Sequence, residues 1–282
     1  MTELRLPPPL KPGSRVGLVA PARFASPELV NEAATQLATW GFDPVVDPRS
    51  TGRDRQFGGS DEARAAVLNE AFRDPEIGAV WALRGGYGCT RLLPLLDGAA
   101  FEARPTWVVG FSDVTALHGW ASRRGVASLH APVASTVSST EPEDVAAMRE
   151  VLCSATPPSW QAGRRVVGGN LSVLYAMLGT PAMPPLEGRW LLLEDLDEFL
   201  YHLDRMFVAL AQAGVFEAVE GVMVGSFTDL KDNTVACGQA VDNPFGRTVR
   251  EMVEEHIASR GCPVEWNVPV GHGRRNAPVV LG

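Results

Sequence analysis

Two short apolar runs, residues 79–83 and 107–109, break without a polar spacer into glycine-containing loops: Arg84-Gly85-Gly86-Tyr87-Gly88 after the first and Gly110-Phe111-Ser112-Asp113 after the second. Runs of this length and β-branched or aromatic content read as strands, and the stretch after the second loop, to about residue 124, has helical periodicity. A strand running through a tight loop into a helix is the repeating unit of a parallel sheet, because a parallel neighbour is reached only by a crossover of a dozen or more residues. In an open parallel sheet, strand carboxyl ends and helix N-termini expose unpaired amides and bind ligands, so both loops are expected at one pocket.

The alternation runs through the first half. Residues 16–20 read as a strand ending at Pro21, and 27–40 as a helix with Ser26 as N-cap, Pro27 at its first position and Gly41 just past its end. Residues 42–46 read as a strand. Asp61 is expected to cap a helix to about Arg73, whose Ala65, Leu68, Ala71 and Phe72 share a face. A strand over 126–130 and a helix over 142–153 precede a stretch rich in Pro, Gly and Arg. The expected division is an α/β domain over 1–155, a linker over 156–165 and a second domain over 166–282. That second half opens at Gly168-Gly169-Asn170 with an apolar helical stretch to Leu178. A buried strand over 190–193, a helix over 203–213, a strand over 221–225, a helix over 246–259, a strand over 264–268 and a Gly-rich tail follow.

With 282 residues, 45% hydrophobic and 21% charged, at a mean hydropathy of +0.01, the chain has the balance of an ordinary globular protein. A net charge of -8 offers no footprint for nucleic-acid phosphates or anionic lipid, and the pairs Arg123-Arg124, Arg164-Arg165 and Arg274-Arg275 are too short to form a basic stripe. Residues 1–13 carry Pro7, Pro8 and Pro9 and lack a basic segment followed by an apolar one, and no apolar run approaches the roughly 20 residues of a membrane span, so cytoplasmic residence is expected. Cys89, Cys153, Cys237 and Cys262 show no C-x-x-C spacing, and H-E-x-x-H is absent. No metal or cofactor is expected.

The chemistry-bearing candidates converge on acyl transfer. Gly110-Phe111-Ser112-Asp113-Val114 has the form of a nucleophile elbow with Val114 in place of the second glycine; a plain helix N-cap is the bland alternative for Ser112. A serine hydroxyl needs a base, usually a histidine oriented by a carboxylate. Of five histidines, His118, His202 and His256 fall in helical stretches, His130 ends a strand and can line the pocket, and His272 stands between Gly271 and Gly273, where a flexible backbone can present it to a cleft. The acid should emerge from a buried strand, and Leu191-Leu192-Leu193-Glu194-Asp195 fits, with spacing unable to choose between Glu194 and Asp195. Oxyanion donors are expected from the Gly85–Gly88 loop and the Asp113 amide.

Taken together, Ala20-Pro21-Ala22, Arg84-Gly85-Gly86-Tyr87-Gly88, Gly110-Phe111-Ser112-Asp113-Val114-Thr115-Ala116-Leu117-His118, Gly168-Gly169-Asn170-Leu171, Leu193-Glu194-Asp195, Asp204-Arg205 and Gly271-His272-Gly273 resemble the LD-carboxypeptidase family. This family, the muramoyltetrapeptide carboxypeptidases, includes the microcin-immunity peptidases. The resemblance spans nearly the whole chain. It implies an N-terminal doubly wound parallel-sheet α/β domain, a smaller β-rich C-terminal domain, a site between them and a homodimer. It also implies Ser112 as nucleophile, His272 as base, Glu194 as orienting acid, and the Gly86 and Asp113 amides as oxyanion hole. The implied reaction is hydrolysis of the L,D-amide bond to terminal D-alanine in murein tetrapeptides during cell-wall recycling.

A free terminal carboxylate calls for a cation, for which Arg84 is the candidate, and Gly85 and Tyr87 of the same loop are expected to bind substrate with it. Residues 229–245 carry no aromatic before Phe245 to stack on a nucleobase, which puts cleavage of aminoacyl-nucleotide conjugates second. A peptide-binding protein on the same scaffold, without catalysis, is the alternative of another class.

Overall fold

The computed structural model describes residues 4–161 and 163–282. The first half contains β1 (Arg15–Val19), α1 (Pro27–Thr39), β2 (Asp43–Val46), α2 (Asp61–Arg73), β3 (Ile77–Ala82), the short α3 (Cys89–Leu92) and α4 (Gly98–Ala103), β4 (Trp107–Gly110), α5 (Thr115–Arg123), β5 (Ser128–His130) and α6 (Pro142–Ser154). The second contains β6 (Val166–Asn170), α7 (Leu171–Ala176), β7 (Trp190–Leu196), α8 (Leu200–Gln212), the short α9 (Val215–Ala218), β8 (Gly221–Thr228), α10 (Val249–His256), β9 (Val264–Glu265) and β10 (Val279–Leu281).

Local chemistry accounts for most boundaries. Ser26 Oγ accepts the Leu29 N–H at the start of α1, with Pro27 at its first position. The cap of α2 is Ser60, which accepts from Ala63, rather than the expected Asp61. Asp61 is the first helical residue, and its carboxylate serves Arg64 and Arg91 instead. Thr248 and Glu251 form a capping box that starts α10 later than the sequence suggested, and β9 is only two residues long.

The strands form one ten-stranded sheet of order β2-β1-β3-β4-β5-β10-β6-β7-β8-β9. Pairing is parallel throughout the first five and again from β6 to β9. The order 2-1-3-4-5 is doubly wound, with its switch point between β1 and β3. Helices cover both faces accordingly. Val30 and Leu37 of α1 and Met148 and Val151 of α6 pack on Leu18 and Trp81, while Leu68 and Phe72 of α2 and Leu117 and Trp120 of α5 pack on Val80 and Val108. The second of these cores runs on into the other half, where Leu174 of α7 and Phe207 and Leu210 of α8 meet Leu191 and Leu193.

Two strands were not legible in the pattern. In Val166-Val167-Gly168-Gly169-Asn170 the paired glycines leave no side-chain alternation, so the pattern marks only the lead into a helical stretch and no strand there. Strand β10 is the Gly-rich tail itself, too short to register by periodicity. It pairs antiparallel with β5 through Val279 with His130 and Leu281 with Ser128, and meets β6 where Leu281 lies beside Val166. Gln161, between α6 and β6, braces it from both sides, donating to the Val280 carbonyl at 2.8 Å and accepting the Val280 N–H at 3.1 Å.

Leu281 is fully buried against Val166, Leu192 and Met223. Leu281→Ala is expected to lower the unfolding free energy by about 2–5 kcal/mol. Urea denaturation followed by circular dichroism should show one shifted transition; two transitions with only one displaced would mean that the halves unfold independently.

Candidate active site

The loop after β4 holds Ser112 in the left-handed region, at φ 63°. For a non-glycine residue that conformation costs about 1–3 kcal/mol, and its usual return is a side chain thrust clear of the main chain at a strand-to-helix turn. The elbow is braced from below. His118, buried in α5, donates from Nε2 to the Gly110 carbonyl at 2.9 Å and accepts at Nδ1 from Ser128 Oγ at 2.8 Å. Burial depresses its pKa to about 4, so this ring is a neutral strut.

Ser112 borders a cavity of about 430 Å³ that also takes in His272, Asn170 at the end of β6, Asp195 at the end of β7, and Arg84 with Gly85 and Gly86. His272, its side chain 12% exposed, donates from Nδ1 to Glu194 Oε2 at 2.6 Å. That bond fixes the tautomer and leaves Nε2 as the basic nitrogen. Burial lowers the His272 pKa, but the charge and hydrogen bond of Glu194, with Asp195 and Asp229 behind it, outweigh burial and raise it.

Glu194 and Asp195 are both buried and have different neighbours. Along β7, Leu191 and Leu193 enter the core under α7 and α8, while Leu192 enters the opposite one with Met223 and Leu281. Glu194 reaches His272. Asp195 accepts from Asn170 Nδ2 at 2.9 Å, from the Ser172 N–H at 2.9 Å and from the Leu196 N–H at 2.8 Å. Burial and then the Glu194 charge push Asp195 up to about 6 despite those donors.

The glycine loop comes against the elbow at Gly85, where a Cβ would stand 2.9 Å from Ser112 Cβ and 3.0 Å from its Oγ; only glycine allows the approach. Gly86 rests on the Arg23 side chain, and Arg23 lines the cavity beside Arg84, a second cation that the sequence reading missed. It follows Ala20-Pro21-Ala22 directly, a position that only the fold reveals. Asp113 is buried, and its carboxylate accepts the Cys89 N–H at 2.8 Å. Tyr87 is half-exposed outside the cavity lining, its ring 5.8 Å from that of Phe57.

Two of the remaining histidines pair with other carboxylates. His202 bonds Glu198 at 2.6 Å and His256 bonds Asp204 at 2.8 Å. His130 is fully buried beside Phe111, and burial pushes its pKa well down. Beyond the main cavity, Phe199 and Tyr201 at the start of α8 border a second one with Asn233, Gln239 and Val241. These aromatics lie before the 229–245 segment in sequence and beside it in space.

With the His272 pKa held up by Glu194, the ion pair stabilises the fold below the ordinary imidazole range, and that contribution is lost as pH rises through the raised folded value. Glu194→Gln leaves burial unopposed by that charge. The His272 titration followed by NMR is therefore expected to move to lower pH, and an unmoved titration would show that the carboxylate does not hold the imidazolium.

Comparison with known proteins bears on the family and the fold. The LD-carboxypeptidase N-terminal domain matches residues 16–131 and the LD-carboxypeptidase C-terminal domain matches residues 164–282. The chain is 31% identical to the murein tetrapeptide carboxypeptidase of Pseudomonas aeruginosa, over 93% of this chain and 89% of that one. The crystal structure of muramoyltetrapeptide carboxypeptidase from Oxalobacter formigenes superposes with a TM-score of 0.80 at 26% identity, over 95% of this chain and 92% of that one. The fold is shared too with microcin C7 self-immunity protein MccF in complex with aspartyl sulfamoyl adenosine, with a TM-score of 0.82 at 23% identity over 99% and 94% of the two chains. With both family domains matched over most of its length, the chain belongs to the LD-carboxypeptidase family.

Proposed function

We propose that the protein is a serine carboxypeptidase that removes terminal D-alanine from murein tetrapeptides by hydrolysing the L,D-amide bond. The observation that carries this reading is the placement, around one cavity, of a serine in left-handed backbone and an imidazole oriented by a fully buried carboxylate. In this mechanism His272 Nε2 takes the Ser112 proton as Oγ attacks the scissile carbonyl. Glu194 keeps the proton on Nδ1 and stabilises the imidazolium. The Asp113 and Gly86 amides receive the oxyanion, each worth about 10²- to 10³-fold in turnover. His272 then protonates the departing D-alanine amine, and water returns by the same route to release the acyl group.

Arg84, with Arg23 beside it, supplies positive charge for the terminal carboxylate that an exopeptidase must recognise. A homodimer belongs to the proposal through the family resemblance, and cytoplasmic residence is part of the same reading. No described helix is long and apolar enough to cross a membrane. Cleavage of aminoacyl-nucleotide conjugates is the second reading, favoured by one observation: Phe199 and Tyr201, absent from the sequence argument against it, present rings at the second cavity.

D-alanine release from a murein tetrapeptide, run beside an all-L peptide and an aminoacyl-nucleotide, separates the readings. Wild type is expected to act on the tetrapeptide alone, and Ser112→Ala to lose about 10⁴- to 10⁶-fold in turnover with its fold intact. An active Ser112→Ala enzyme would end the serine mechanism; activity on the conjugate alone would establish the second reading. Arg84→Ala is expected to raise KM about 10- to 100-fold with turnover little changed, as loss of a charge-assisted contact does. Unchanged kinetics would remove Arg84 from the site.

A further inference from the structure

The peptide group joining Gly88 to Cys89 is gripped on both sides by buried charges that the mechanism above does not use. On its carbonyl side, Arg64 of α2, its side chain 1% exposed, donates from Nη1 to the Gly88 oxygen at 3.1 Å. The same guanidinium also donates to the Pro21 carbonyl, pairs with Asp61 and lies 4.9 Å from the centroid of the Phe57 ring. On its amide side, Asp113 Oδ2 accepts the Cys89 N–H at 2.8 Å. A Cβ on Gly88, at φ 140°, would stand 2.7 Å from Arg64 Nη1, so the cation sits directly against the main chain.

Burying two charges is expensive, and here each is compensated by a hydrogen bond to the main chain of the loop. Burial pushes the Asp113 carboxyl up, while the Cys89 N–H and thiol and the Arg64 charge hold it down. What this arrangement supplies is a fixed distance. Asp113 follows Ser112 in the chain, so its backbone belongs to the elbow while its carboxylate belongs to the glycine loop. At the other end of that loop, a Cβ on Gly85 would lie 3.6 Å from the Asp113 nitrogen. The loop is thus hydrogen-bonded to the elbow on one side of Gly86 and packed closely against it on the other.

We infer that the Asp113 carboxylate, backed by Arg64, is a positioning group that sets the separation of the Gly86 and Asp113 amides across the reacting carbonyl. The inference rests on the acyl-transfer reading and adds to it a role for two buried side chains. Hydrogen bonding, rather than charge, is the active element. Asn at position 113 can still accept from Cys89, Ala cannot, and Glu displaces the anchor by one methylene.

Three readouts on the full chain test this: turnover of the murein tetrapeptide, labelling of Ser112 by a fluorophosphonate, and affinity for a peptide boronate that forms a tetrahedral adduct. Asp113→Ala is expected to lose about 10²- to 10³-fold in turnover, in labelling rate and in boronate affinity, with KM within about threefold. Asp113→Asn should recover at least about tenfold of that loss. Asp113→Glu, the companion should the alanine variant not fold, is expected to lose about 10²-fold, the scale of a displacement near 1 Å.

Asp113→Ala labelled at the wild-type rate would overturn the inference. So would a fall in the number of titratable sites with an unchanged rate constant, since that is the signature of partial unfolding, or an asparagine variant no better than alanine. Wild-type protein that never labels at Ser112 would sink the serine mechanism first, and the positioning role with it.

Discussion

The site depends on the insertion of β10 between β5 and β6. Ser112 and the glycine loop belong to the first half of the chain, Glu194 and His272 to the second, and among the described residues the two halves are joined in the sheet through this three-residue strand. Antiparallel pairing to β5 fixes the height of Val279 beside His130, and so places the segment from Gly271 to Asn276 that leads into it. Arg275 and the Asn276 amide, both bonded to Asp144 of α6, hold that segment to the first half a second time. The imidazole is thereby held, by a few main-chain bonds and one buried carboxylate, at the cavity that Ser112, 160 positions earlier in the chain, also borders.

The period of two along β7 decides which acid serves the histidine. Leu191 and Leu193 fill one core and Leu192 the other, so Glu194 and Asp195 part to different partners. Glu194 meets the imidazole of His272, whereas Asp195 is surrounded by the donors of Asn170, Ser172 and Leu196. Asp195 still acts on the site at a distance, since its charge helps to raise the His272 pKa. Two neighbouring carboxylates therefore divide the work, one orienting the ring and the other fastening the start of α7.

Neutral and charged groups around the elbow are likewise separated by their surroundings. His118 has two polar partners in a buried pocket and stays neutral beneath Gly110, while His272 has a carboxylate partner and is held towards its protonated form. Asp113 and Arg64 are buried around the glycine loop without lying next to one another in sequence. Such buried charges are tolerated because each hydrogen-bonds to main chain, which satisfies loop groups that no strand or helix can reach.

By itself the sequence determined the α/β alternation, the two loops at strand ends, and Ser112 and His272 as candidates, because apolar periodicity and glycine placement are local properties encoded by neighbouring residues. It could not show β6, whose glycines erase the alternation, nor β10, which is too short for a period and is a strand only because two others flank it. Spacing could not separate Glu194 from Asp195, nor bring Arg23, Phe199 and Tyr201 to the cavities they border. Those choices belong to the tertiary structure, since they depend on which face of a strand meets which core and on contacts between segments far apart in the chain.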